Sequence, residues 1–184
     1  LEMIKEGINY AKDNGLKVRF TAEDASRTDR GFLLSVAQVA EKAGVDRFSI
    51  ADTVGILYPE KVSQIVSFFV KNLNIPIHAH FHNDFGLATS NALQAIQSGA
   101  TCVDVSINGL GERCGISSLG EVTMSLNELL KVENEWNFKL LDKRCPNCDV
   151  KKYHYNWLED YYLCLFCNFK KKGEIFFDPN HCEH

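Results

Sequence analysis

Four times in the first two-thirds of this chain, a short β-prone run gives way to a helical apolar stripe, and few folds accommodate that repeat. Ile4, Ile8 and Ala11 mark one face of an opening helix that Gly15 stops. Lys17–Thr21 then reads as a strand, followed by a helix over Arg30–Lys42 with Phe32, Val36, Val39 and Ala40 as its apolar pattern and Gly44 beyond its end. Val45–Ile50 is the second strand. Pro59 sits where a helix can start, and Val62, Ile65, Val66 and Phe69 give that helix its buried stripe. Ile75–His80 is the third strand, and Ala88, Ala92, Ala95 and Ile96 form a small-residue helix face suited to close packing on a sheet. Thr101–Ile107 is the fourth strand, with Leu119, Val122, Leu126 and Leu129 marking a last helix.

The strands end near Glu23, Thr53, His82 and Asn108, at intervals of 30, 29 and 26 residues. Alternation of this kind predicts a parallel sheet covered by helices, either an open doubly wound sheet or a (β/α)8 barrel. No Gly-x-Gly-x-x-Gly follows the first strand, which weakens a dinucleotide-binding sheet. Polar residues gather at the C-terminal strand ends, the end that carries the active site in a barrel. A barrel takes about 250 residues, so four units are half of one. The chain opens on Leu1, already inside a helical pattern, so the expectation is that an N-terminal portion precedes it.

The densest chemistry is His78-Ala-His80-Phe-His82-Asn83-Asp84, which holds three of the chain's six histidines. Side chains alternate along a strand, so His78, His80 and His82 share one face. Neighbouring imidazoles on one face make a metal site. The alternative is a polar strand end with solvated histidines. On the first strand Arg19, Thr21 and Glu23 also share a face. Inward charges need partners or a function, and an Arg19–Glu23 ion pair is the plain structural alternative.

Taken in order, Phe20-Thr-Ala-Glu-Asp-Ala-Ser-Arg-Thr-Asp29, Ala51-Asp-Thr-Val-Gly55, His80-Phe-His-Asn-Asp-Phe-Gly86 and Gly109-Leu-Gly-Glu-Arg-Cys-Gly115 resemble the 2-isopropylmalate, homocitrate and citramalate synthases, over residues 1–130. These are metal-dependent, carbonyl-condensing TIM barrels. The resemblance implies an α/β fold: the C-terminal half, four βα units, of a (β/α)8 barrel over residues 1–134. It implies an acyltransferase that joins acetyl-CoA to a 2-oxo acid, with a divalent metal (Zn, Mn or Mg) polarising the ketone. His80 and His82 match the two imidazole ligands, and His78 is read as a packed histidine behind them. The family's acidic ligand, in an Asp-Arg-Glu motif on the first barrel strand, has no counterpart here, so this chain alone is expected to be incomplete and inactive. Glu23 matches the acidic residue of the proton transfers. Thr21 and Thr53 match hydroxyls that bind substrate carboxylate, although Thr53 between Asp52 and Gly55 also suits a plain turn. Arg19 matches the arginine that holds the far carboxylate of 2-oxoglutarate in homocitrate synthases, a task for a planar fork of donors. Ile116, where many members carry Asn, points the same way. Glu112 and Arg113 are read as a structural ion pair, and Cys102 and Cys114 as ordinary barrel residues. The alternatives are isopropylmalate, citramalate or Re-citrate synthase activity, or a non-catalytic barrel fragment with a metal-binding interaction module.

The tail differs in kind. Cys145-Pro-Asn-Cys148 and Cys164-Leu-Phe-Cys167 stand 15 residues apart, the spacing of a four-thiolate structural zinc site. Residues 142–175 resemble a zinc ribbon, with Lys151–Tyr162 pairing as a hairpin, and residues 176–184, with His181, Cys182 and His184, follow as a solvated tail. No secretory signal is visible, which argues against disulfides as the alternative. Residues 145–184 carry nine aromatics but only five Lys/Arg against six Asp/Glu. That balance, with a net charge of −4 over the 184 residues, lacks a nucleic-acid footprint. No apolar run approaches the roughly 20 residues of a membrane span. The expectation is a cytoplasmic homodimer, since unpaired parallel edges invite association.

Overall fold

Two helix starts of the first unit follow from local chemistry, an Asp cap and a Pro. In the computed structural model, which describes residues 1–132 and three strands beyond them, α1 spans Glu2–Asp13 and β1 spans Arg19–Ala22. Helix α2, Arg30–Lys42, is capped by the Asp29 carboxylate, which accepts from the Phe32 amide at 2.8 Å. Such a cap contributes about 1 kcal/mol. β2 spans Arg47–Asp52, and α3, Pro59–Asn72, begins on Pro59, whose missing N–H costs nothing in a first turn. β3 spans Ile77–Phe81, α4 Ala88–Gln97, β4 Cys102–Val103 and α5 Leu119–Glu128.

The four strands form one parallel sheet in chain order, β1-β2-β3-β4. One face is apolar. Ala22, Phe48, Ile50, Ile77, Ala79 and Phe81 are buried there against Leu33, Val36, Val62, Val66, Phe69 and the alanines of α4. Phe69 stacks on Phe48 with ring centroids 5.6 Å apart. Alternation sends Thr21, Ser49, His78 and Cys102, aligned across the sheet, to the opposite face. That face carries the chemistry.

Strand limits differ from the sequence expectations. The first three strands start two residues later than expected and run one or two residues further. The fourth is much shorter than Thr101–Ile107. Among the described residues β4 has only β3 beside it. Its ladder stops after the Asp104 amide donates to Ala79. The chain then enters a 3-10 turn, Ile107–Gly109, in which Asn108 is left-handed at φ 55°.

The chain divides into two compact units, Leu1–Glu133 and Asn134–His184. In the second, β5 (Tyr153–Asn156), β6 (Tyr161–Cys164) and β7 (Lys170–Lys172) form a three-stranded antiparallel sheet. β5 pairs with β6, as a hairpin over this stretch requires. Of the proposed zinc ligands, Cys145, Cys148 and Cys167 lie outside the described residues, and Cys164 closes β6. No helix among the described residues is long and apolar enough to cross a membrane.

Candidate active site

The polar face of the sheet opens, at the C-terminal ends of the strands, into a cavity of about 340 Å³. Arg19, Thr21, Glu23, Thr53, His80 and His82 all line it, so six residues singled out on three separate segments share one space. Asp104, Glu112, Arg113 and Ala51 complete the wall.

Asp104 organises the floor. Its Oδ1 accepts from Arg19 Nη1 at 2.9 Å and lies 3.1 Å from His78 Nε2, while Oδ2 lies 3.1 Å from His80 Nδ1. Burial alone would push this carboxyl up. The hydrogen bonds from His78, His80 and Arg19 outweigh it and hold the group well below the usual carboxylate range. His78 is buried behind the cavity wall, at 3% exposure, with Arg19 and Asp104 as its polar neighbours. The alternative Arg19–Glu23 ion pair does not form. Asp104 is reached instead because the β3–β4 register sets it beside His80.

An ionised Asp104 requires the proton on Nδ1 of His80, which leaves the His80 Nε2 lone pair facing away from the carboxylate. That nitrogen lies 3.2 Å from Nε2 of His82. Nδ1 of His82 is buried and has no partner, so the His82 imidazole meets polar surroundings only through Nε2. Two imidazole nitrogens converging on one point, one oriented by a carboxylate behind it, suit a divalent transition metal. The residues fit such an ion. Among the described residues no group of three or more His, Cys, Asp or Glu is placed to hold one, so these two would supply part of a ligand set.

The mouth is tied together by Thr53 and Arg113. The Thr53 hydroxyl oxygen accepts from the Asp24 amide at 2.7 Å, and its O–H is left to donate. Arg113 does not pair with Glu112. Neighbouring side chains in this turn diverge, with Arg113 left-handed at φ 56°, and the guanidinium reaches both oxygens of Asp84. That fork, first through its hydrogen bonds, holds the Asp84 carboxyl below its ordinary value. Asp104 is the cavity-lining residue that sequence reasoning missed, while Asp84, named there within the histidine stretch, gains Arg113 as its partner here. The signal for Asp104 was available: Cys102, Asp104 and Ser106 alternate on one side of a strand that follows the histidines.

The HMGL-like family profile matches residues 1–144. The chain belongs to the HMGL-like family. A homocitrate synthase of Saccharolobus islandicus (strain L.S.2.15 / Lassen #1) is 50% identical over 134 residues, which are 72% of this chain and 29% of that protein. A probable 2-isopropylmalate synthase of Methanopyrus kandleri is 43% identical over 141 residues, 77% of this chain and 28% of that one. The HMGL-like chain therefore spans 28–29% of the length of these curated relatives. Among solved structures, the HMG-CoA lyase of Bacillus subtilis aligns with a TM-score of 0.60 at 22% identity, covering 68% of this chain and 47% of that one. The carboxyl transferase domain of Rhizobium etli pyruvate carboxylase aligns with a TM-score of 0.60 at 20% identity, covering 67% and 22%. These likenesses carry the fold. The four βα units of the HMGL-like chain are half of a (β/α)8 barrel, and the doubly wound sheet is set aside.

Proposed function

We propose that this segment is the substrate- and metal-binding half of an enzyme that condenses acetyl-CoA with a 2-oxo acid, 2-oxoglutarate first among them. The observation that carries the proposal is Arg19. Its Nη1 is held by Asp104, its Nε and Nη2 have no partner among the described residues, and it shares one cavity with His80 and His82. A free guanidinium edge beside a metal-binding pair suits a substrate with a carboxylate at each end. Ala51 is the one apolar side chain in the wall among the described residues, which disfavours a branched aliphatic oxo acid.

In the proposed mechanism His80 and His82 hold the divalent ion, with further ligands from outside this set. The ion's contribution is to polarise the ketone of the oxo acid. Arg19 binds the far carboxylate, and the hydroxyls of Thr21 and Thr53 donate to the near one. Glu23 manages the proton that leaves the acetyl methyl group as the new carbon–carbon bond forms. The former ketone oxygen ends as a hydroxyl, and water then cleaves the thioester to release CoA. Holding both reactants in line accounts for much of the acceleration.

The proposal extends to the tail, where Cys145, Cys148, Cys164 and Cys167 bind one structural zinc as a closed four-sulfur shell. Support comes from the spacing and from the antiparallel pairing of β5 with β6. A cytoplasmic homodimer is the proposed setting, with no nucleic-acid or membrane partner.

The test is CoA release by the intact protein, followed with a thiol reagent across a panel of 2-oxo acids. Release should require acetyl-CoA, a divalent metal and a 2-oxo acid together, and His80→Ala with His82→Ala should abolish it. Release that survives the double substitution sinks the assignment.

A further inference from the structure

Asp104 lies where the two chemistries of the cavity meet. Three protein donors converge on its two oxygens: Arg19 Nη1 and His78 on Oδ1, and His80 Nδ1 on Oδ2. Its side chain is 26% exposed, against 4% for His78, so one edge of this cluster is buried and the other opens to the cavity.

From this geometry we infer that Asp104 is the positioning residue that sets the oxo-acid end and the metal end of the site together. It presents the free edge of Arg19 to a substrate carboxylate, and it fixes His80 with its Nε2 lone pair turned toward His82. The inference rests on the condensing-enzyme reading for the identity of the oxo acid.

An arginine side chain is long and rotamer-rich, and a ligand that must first order it binds less tightly. Arg19 is 38% exposed, yet its Nη1 is pinned by Asp104 on one side and lies 3.3 Å from His78 Nδ1 on the other. Its orientation is therefore set before substrate arrives. An imidazole ligand likewise depends on the group behind it for tautomer and ring angle, and His80 has Asp104 in that place. Both tasks fall to one carboxylate because β4 sets Asp104 beside His80 while Arg19 reaches in from β1. His78 fills the space between, so the carboxylate cannot move toward one partner without leaving the other.

Asp104→Asn in the intact protein tests this. The amide keeps the shape and offers one acceptor where two are needed. With the tail's tightly held zinc left in place, affinity for a second zinc, measured with zinc alone against a competing chelator, should fall about tenfold or more. KM for 2-oxoglutarate should rise by about tenfold, while KM for acetyl-CoA stays within about twofold. In an Arg19→Ala background Asp104→Asn should still weaken zinc but no longer move the oxo-acid KM. Asp104→Glu, which keeps the charge one methylene further out, should show the same paired shift at smaller size. A change in zinc affinity alone, in oxo-acid KM alone, or an equal rise in both KM values overturns the inference. A parent protein that releases CoA with no 2-oxo acid sinks the functional reading and this inference with it. A parent that condenses normally while both variants leave zinc and KM unmoved sinks the inference alone.

Discussion

Arg113 meets Asp84 through two parallel hydrogen bonds, Nε to Oδ1 at 2.7 Å and Nη2 to Oδ2 at 2.8 Å, and the same Nη2 reaches the Thr53 carbonyl at 2.8 Å. With the Asp24 amide on the Thr53 hydroxyl, this joins the turns after all four barrel strands into one hydrogen-bonded chain. Lysine cannot reproduce the fork. Arg113→Lys should therefore leave the thermal midpoint nearly unchanged, since the pair is solvent-exposed, but speed amide exchange at Asp24 and raise KM for the oxo acid several-fold. Unchanged exchange at Asp24 would show that the chain of bonds does not hold the mouth.

Gly55 permits that arrangement. A Cβ there would lie 2.5 Å from Asp84 Oδ2, and its φ is +65°. Gly86 shares the positive φ, at +71°, but has nothing within 4 Å of a Cβ. Both alanine variants pay for backbone strain, on the order of 1 kcal/mol. Gly55→Ala should cost more than Gly86→Ala by denaturant unfolding, because it also displaces Asp84. Equal losses would contradict the close approach.

Acid should loosen the start of β1. Asp46 accepts from the Val18 amide at 2.6 Å and from Lys12 at 3.0 Å, with Lys17 nearby, and these hold its carboxyl below the ordinary value, the Val18 bond most. A depressed folded-state value means stability present above the unfolded carboxylate's pKa, about 3.9, and lost as pH falls through the folded one. Asp46→Asn should flatten the decline in unfolding free energy below about pH 4 relative to the parent. An identical slope in both proteins would rule out this contribution.

The two proposed metal sites should separate under dialysis. Cys145→Ser should lose about one tightly held zinc per chain, since three thiolates cannot close the shell. His80→Ala with His82→Ala should leave that zinc in place. Retention in the first variant, or loss in the second, reverses the assignment.

Much of this architecture is written in short-range pattern. Val62, Ile65, Val66 and Phe69 recur at helical spacing, and all four are buried. Asp29 and Pro59 mark helix starts through groups they present or lack. Period-two alternation on β1 and β3 places Arg19, Thr21 and Glu23, and His80 and His82, on one face without knowledge of the partner strand. What pattern misses is pairing across distance. Asp104 reads as one polar residue in a strand, and its three donors come from β1 and β3 through the register. Arg113 looks paired with its neighbour Glu112 because adjacency is all that sequence displays, whereas Asp84 lies 29 positions away. The length of β4 is likewise set by the strand beside it, not by its own β-prone residues.

The central claim is that Arg19 selects a dicarboxylic oxo acid, and kcat/KM for 2-oxoglutarate against 2-oxoisovalerate tests it most directly. The intact parent protein should prefer 2-oxoglutarate, and Arg19→Leu should cut that preference by at least about a hundredfold, the loss of a charge-assisted fork on a carboxylate, while kcat/KM for 2-oxoisovalerate holds or rises. A parent that turns over 2-oxoisovalerate faster, or an Arg19→Leu variant that keeps the preference, would contradict the account.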